Sequence, residues 1–407
     1  MDKKQIIFSD PIYGFVAIPD ILIYQIINHP YFQRLRRIKQ LGLTSITYPG
    51  AMHTRFQHAM GAMYLTTLAI EVLRSKGIKI SEEESQGVAI AVLLHDIGHG
   101  PFSHALESSI VHGISHEDIS EMFLSRMNKY FNGKLFLAKK IFSGTYRKKF
   151  LHQLISSQLD MDRLDYLNRD SFFTGVSEGV INSERIIKML NVVGDELVIE
   201  GKGMYSIENF IISRRLMYWQ VYLHKTVLSA EYLLVNILRR AKELASNGEK
   251  LFCTPALQVF LYNKYDKKAF SQNHELLDVF AQLDDYDIFA CVKVWMGCHD
   301  FILSTLCKNL INRKLYKVKV QDVPFTDEIV NMQKKKIQRK YKLKESEVDY
   351  FVFSHTVKND AYCPDKIRIN ILFKNGTLAD IADASDRDYI VALQKTVEKY
   401  FLYYPKD

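Results

Sequence analysis

"VLLHDIGHGPFSHALE", residues 92–107, places His95, Asp96, His99, His104 and Glu107 directly after an apolar run. Imidazoles and carboxylates resist burial unless they are paired or bind a cation. The run "VAIAVLL" (88–94), which ends in His95 and Asp96, therefore calls for partners from elsewhere in the chain. The preceding "SEEESQG" (81–87) supplies a serine cap and an acidic first turn, and Gly98 supplies a stop. Those signals make 81–98 a buried helix that ends at the polar cluster, not a strand.

Working outward, "TRFQHAMGAMYLTTLAIEVLRSKG" (54–77) reads as a helix from an N-cap threonine to a closing glycine. It carries His58 among the small residues Ala59, Gly61 and Ala62, which let another element approach closely. Downstream, "DMDRLDYLNRD" (160–170) offers Asp162. His58, His95, Asp96 and Asp162 are then four candidate ligands from three helices, a pattern that helix bundles use for metal centres. Imidazole nitrogen with carboxylate oxygen suits one divalent transition ion (Mn, Fe, Ni, Zn or Co), with additional Mg where phosphates bind. The alternative is a set of core polar residues satisfied by one another.

The rest of the chain is mostly helical by its spacing of apolar residues. Short helices are expected over 17–45, then helices over 116–131 and 150–173, a hairpin within 189–206, and one very long or two collinear helices over 206–248. More helix runs to about 313. Beyond that point "KLYKVKVQD" (314–322) and "KIRINILFKNG" (366–376) alternate like strands, while "EIVNMQKKKIQRKYK" (328–342) and "DYIVALQKTVEKYF" (388–401) read as helices. The expected architecture is mainly α: a helical bundle over 1–310, its core about 50–175, and a smaller α+β C-terminal lobe over 311–407.

The 407 residues carry a net charge of +8, and 47% are hydrophobic, the profile of a folded chain with a basic surface. That excess favours polyanionic partners, nucleotides before nucleic acid, although a lysine-rich surface explains it equally well. "KKKIQRKYKLK" (334–344) is the densest basic run, read first as a solvated helix face. The five cysteines form no CxxC pair, which argues against a disulfide framework or thiolate zinc. No apolar stretch is long enough for a membrane span, and the start has no signal-peptide pattern, so a cytoplasmic protein is expected.

These segments, together with "DPIYGF" (10–15), "FQRLRRIKQLG" (32–42), "YPGAMHTRFQHAMG" (48–61) and "VYLHK" (221–225), resemble the HD-domain phosphohydrolases. Within them the likeness is to the deoxynucleoside triphosphate triphosphohydrolase branch, over roughly residues 7–240. The resemblance implies that His58, His95, Asp96 and Asp162 hold the metal, that water attacks the α-phosphorus, and that deoxynucleoside and inorganic triphosphate result. It assigns His104 and His116 to in-line or proton-transfer roles, with Glu107 orienting His104. It implies phosphate contacts from Arg55, His99, Arg163, Arg214 and Lys225. Tyr166 and Asp170 would face the sugar, Gln40 and Leu41 would lie against deoxyribose and base, and Tyr218 and Tyr222 would share a phosphate-facing wall with Arg214 and Lys225.

Arg214, Tyr218, Tyr222 and Lys225 also fall on one stripe if the helix is regular. Departures from the animal members are Tyr218 in place of a histidine, Glu107 in place of an aspartate, and Asn28 at the guanine-reading position of the effector site. Gln33 and Arg36 match that site, so a nucleotide effector in a modified form is expected, as is a homo-oligomer. Other nucleotides, or a non-catalytic sensor of nucleotide or nucleic acid, are the competing readings.

Overall fold

Polar caps begin the helices that matter. The Gln57 side chain accepts the Thr54 N–H at 2.8 Å before the helix Arg55–Ser75. Ser81 and Glu84 exchange bonds of 2.9 and 3.1 Å before Glu82–Leu93. Ser115 and Asp118 do the same, at 3.2 and 3.1 Å, before His116–Tyr130. Each box satisfies N–H groups that a helix start leaves open. The computed structural model describes residues 6–102, 106, 113–363, 368–385, 393 and 395–406. His104 and Glu107 lie outside the described residues.

The Glu82–Leu93 helix is buried on nearly every side over its last two turns, from Val88 to Leu93. It packs between Arg55–Ser75 and the short helix Phe136–Phe142. That burial explains why its sequence is apolar all round rather than amphipathic. Met161–Thr174 crosses Arg55–Ser75 so closely that a Cβ on Gly61 would lie 2.0 Å from Asp165 Oδ1. The small residues around His58 thus do admit another helix.

One helix expectation here is corrected and another is resolved between its alternatives. The segment 150–173 is two helices, Lys149–Gln153 and Met161–Thr174. The Asp160 carboxylate accepts Ser157 N–H and Arg163 N–H, both at 2.8 Å, and so caps a new helix where a continuous one would run. Residues 206–248 divide into Met204–Met217, a π turn over Tyr218–Tyr222, and Lys225–Ser246, with His224 in extended backbone as the new cap. The stripe from Arg214 to Lys225 is broken by that turn, and Lys225 sits exposed at the first position of the second helix.

Nine strands among the described residues complete the fold. β1 (Ile7–Asp10) and β2 (Gly14–Ala17) form an antiparallel hairpin. β3 (Leu190–Val193) and β4 (Glu196–Glu200) form the expected second hairpin. β5 (Lys317–Gln321), β6 (Phe353–Asn359), β7 (Asn370–Leu372), β8 (Leu378–Asp380) and β9 (Val397–Tyr404) belong to the C-terminal region. Residues 397–401, expected to be helical, open β9, which lies between β5 and β6 with both pairings antiparallel. β7 runs parallel to β4, Ile199 opposite Ile371, so one sheet draws strands from both sides of residue 311. No helix among the described residues is long and apolar enough to cross a membrane.

Candidate metal centre and nucleotide cleft

Past Leu93 the chain makes a tight turn through His95–Gly98, held from two directions. Arg34, fully buried, donates to Ile97 O and His99 O, both at 2.8 Å. Burial pushes its guanidinium down to about 9, and the rings of Phe123 and Phe280 lie 5.7 and 5.4 Å from its charge. From the other side, Ser120 Oγ donates to His95 O at 2.8 Å and accepts Gly98 N–H at 2.9 Å. A Cβ on Gly98 would stand 2.1 Å from His116 O, so only glycine lets the turn rest on the His116 helix.

Two imidazoles meet beneath this turn with their ring centroids 5.3 Å apart. His95 Nδ1 is 2.6 Å from Val92 O, an acceptor only, so the proton is on Nδ1 and Nε2 carries a lone pair in the neutral ring. His58 Nδ1 is likewise engaged, 2.7 Å from Asp165 Oδ2. Asp162 Oδ1 stands 3.0 Å from His58 Nε2 and 3.4 Å from His95 Nε2, off the line of a hydrogen bond. Both Nε2 atoms are buried without a hydrogen-bond partner. Ligand atoms of His58, His95 and Asp162 lie within 4.8 Å of one another, a donor set that fits a divalent transition ion.

Asp96 flanks this trio: Oδ1 is 3.3 Å from His95 Nε2, and Oδ2 is 3.9 Å from His58 Nε2. Oδ2 is also bound to Arg55 at 2.6 Å. The potential is strongly negative. Burial opposes charge on both rings, yet Asp162 and Asp165 push His58 up to about 10, and Asp96 with Asp162 push His95 up to about 9. Burial raises Asp162 and Asp96, but the neighbouring imidazoles outweigh it and hold both carboxyls below their ordinary range. A cation is stabilised there.

His99 Nε2 lies 3.3 Å from Asp96 Oδ1, and its ring stacks on His116 at 3.9 Å. Burial, with Arg55 nearby, lowers His99 to about 3, so it is neutral at physiological pH. Opposite them, Gln40, Leu41, Arg55, Tyr218 and Tyr222 line a cleft of about 710 Å³. Asp170 faces Tyr222, whose hydroxyl donates to Oδ2 at 2.7 Å, and His53 Nε2 is 2.7 Å from Oδ1. The Arg214 guanidinium lies 5.8 Å from the Tyr218 ring centroid, and the Tyr166 hydroxyl is buried without a partner. Arg163 Nε instead donates to Ser157 O at 2.8 Å, and Lys225 is not among the cleft-lining residues.

Sequence reasoning missed the supports. Asp165 accepts from His58 and, at 2.9 and 3.0 Å, from Arg169, which also donates to Asp10 at 2.8 Å. That chain gives "DPIYGF" a purpose, since the Asp10 carboxylate also accepts Ile12 N–H and Tyr13 N–H at 2.8 and 3.1 Å. At the expected effector position, Arg36 Nε donates to Gln33 Oε1 at 3.0 Å, and Asn28 donates to Tyr24 O at 2.9 Å. The basic helix Asp327–Tyr341 is mostly exposed, with Ile337 its buried residue.

Residues 55–170 match the HD domain, and residues 181–252 match the HD associated region. The chain is 34% identical over 420 residues to the uncharacterized protein YwfO of Bacillus subtilis, covering 100% of this chain and 93% of that protein. It is 30% identical over 268 residues to the deoxynucleoside triphosphate triphosphohydrolase SAMHD1 homolog of Dictyostelium discoideum, covering 61% of this chain and 52% of that one. A crystal structure of a phosphohydrolase from Bacteroides thetaiotaomicron is 53% identical with a TM-score of 0.96, covering 99% of this chain and 100% of that chain. With the HD match spanning His58, His95, Asp96 and Asp162, and with relatives matched over nearly their whole length, the chain belongs to the HD-domain phosphohydrolases.

Proposed function

We propose that the protein hydrolyses deoxynucleoside triphosphates to deoxynucleoside and inorganic triphosphate, using one divalent transition ion held by His58, His95, Asp162 and Asp96. The observation that carries this reading is the pair of buried, partnerless Nε2 atoms beside Asp162, next to a cleft edged by Arg55 and the two tyrosines. The relatives named as triphosphohydrolases support the choice of substrate. A bound ion supplies positive charge to the phosphates and acidifies water.

The chain's own residues do the rest. Arg55 has its Nε buried without a partner while another guanidinium nitrogen holds Asp96, which leaves a donor for a phosphate oxygen. His99 contacts phosphate as a neutral ring. His116, stacked on it, passes the proton that the 5′-oxygen needs when its bond to the α-phosphorus breaks, with His104 and Glu107 as the paired alternative. Tyr222, Asp170 and Tyr166 form the wall against the sugar, where close packing leaves a 2′-hydroxyl no room. Arg214 and Arg163 add positive charge around the phosphates.

A panel of deoxy- and ribonucleoside triphosphates tests the reading, with metal analysis and chromatographic identification of products. Triphosphate and deoxynucleoside are expected. Orthophosphate or pyrophosphate as the first product overturns it, and equal turnover of GTP and dGTP removes the deoxy selectivity.

A further inference from the structure

The cleft continues beyond the sugar wall. It follows the Lys225–Ser246 helix past Leu228, Glu231 and Val235 and is closed by residues 355–358 of β6. The Tyr232 ring lies 4.9 Å from His355, 5.7 Å from Phe353 and 5.2 Å from Tyr403, which seats the β5–β9–β6 sheet on this helix. The C-terminal region therefore forms one end of the nucleotide cleft.

Glu231 is the sole acid among the described residues lining that cleft, and it makes no ion pair or hydrogen bond among them. Apolar side chains make up much of the lining. Leu228, Leu234 and Val357 border the same space, and Lys358 is engaged with Glu398 at 3.4 Å. Burial pushes the Glu231 carboxyl up to about 7, with nothing opposing the rise. A half-buried carboxylate without a partner gains from a ligand that brings its own N–H donors.

Position narrows the ligand. Glu231 stands on the Lys225–Ser246 helix past Leu228, while Arg55, bound to Asp96, and Tyr222, bound to Asp170, line the same cleft at its metal and sugar end. With the phosphates at the metal end, the base edge arrives at Glu231. We infer that Glu231 is a specificity-determining residue that reads guanine, its carboxylate accepting the N1–H and 2-amino hydrogens side by side. Among the four bases guanine alone presents two adjacent donors there. Adenine and cytosine each set a donor beside an acceptor lone pair, and the thymine N3–H stands between two carbonyl oxygens that repel a carboxylate. The apolar side chains along the cleft cover the faces of the base without choosing among bases.

This inference rests on the proposed orientation of the nucleotide, so the test separates the two. Turnover and equilibrium binding are measured for dGTP, dITP, dATP and dTTP on the full-length wild type, Glu231→Gln and Glu231→Ala, with binding measured in the presence of chelator. Wild type should favour dGTP, and dITP, lacking the 2-amino group, should fall below it. Both variants should lower the dGTP-to-dATP ratio by about tenfold to a hundredfold, as expected for bonds to a charged acceptor. Equal treatment of dGTP and dATP by wild type, or an unchanged ratio in both variants, overturns the assignment of Glu231. Selective loss of dGTP binding in a protein that cleaves no nucleotide would instead sustain the base site and remove the triphosphohydrolase reading.

Discussion

Replacing Asp165 with asparagine tests how the fold aims His58. The aspartate is fully buried, receives one bond from His58 and two from Arg169, and leaves Arg169 only Asp10 as a further carboxylate. Asparagine keeps the shape but removes the charge, and its NH2 must face one of these donors. Depriving a buried ion of its partner costs about 3–5 kcal/mol. Asp10 remains, so the lower end, about 3 kcal/mol, is expected for Asp165→Asn.

A second loss is separable. Without a carboxylate on Nδ1, His58 no longer keeps its Nε2 lone pair toward Asp162 and His95. Removing the carboxylate behind a metal-binding imidazole weakens metal binding by about 10- to 100-fold, or roughly 1.4–2.7 kcal/mol. Chelator competition with zinc and manganese reads the affinity, and melting of the metal-free protein reads the stability term alone. If Asp165→Asn binds metal within about twofold of wild type while remaining folded, the account of His58 orientation is wrong.

Removing the metal with a chelator should abolish hydrolysis and lower the melting temperature. Readdition at 100 times Kd should restore about 2.7 kcal/mol of stability, measured by calorimetry. His53→Ala takes one of two partners from Asp170 and should lower kcat/KM about tenfold in steady-state assays, with His53→Gln recovering part of the loss by restoring a donor. Gly98→Ala drives a methyl group toward two backbone atoms, His116 O at 2.1 Å and Ser120 N at 2.4 Å. A destabilisation of about 1–3 kcal/mol is expected in urea unfolding, and an unchanged midpoint would show that the turn has more room than these distances allow.

Asp285 contributes to the pH dependence: burial raises its carboxyl to about 6 although the Lys39 N–H donates to it at 3.0 Å. A raised acid favours the folded state fully only below its unfolded pKa near 4, and that benefit disappears as pH climbs through about 6. Wild type should therefore lose about 2–3 kcal/mol from this group between pH 4 and 7, and Asp285→Asn should flatten that slope.

The candidate metal ligands were legible because ligation demands particular residue types and local spacing, and His58, His95 and Asp96 each sit in a stretch whose apolar neighbours cannot otherwise use them. The π turn was not legible. A stripe drawn from Arg214 to Lys225 assumes a regular period, and one inserted turn at Tyr218–Tyr222 takes Lys225 off the wall. β9 was misread because Val397, Tyr400 and Phe401 also satisfy helical spacing. Strand pairing on both sides, with aromatic and β-branched side chains, decides against the helix only when β5 and β6 are present.

The most instructive omissions are the two buried arginines. Arg34 lies within "FQRLRRIKQLG" and ties the His95 turn by its carbonyl oxygens, while Arg169 lies within "DRLDYLNRD" and holds Asp165 behind His58. Neither touches the ligand atoms, and each reaches partners that local periodicity cannot reveal. A guanidinium can bridge two acceptors from one rigid plane, which is what the two carbonyls of the turn, or a carboxylate behind an imidazole, require to stay aimed. The motifs through which the chain resembles its family therefore record a scaffold of buried cations as well as the ligands. Losing either arginine should disturb the centre through its shape, with the ligands themselves unchanged.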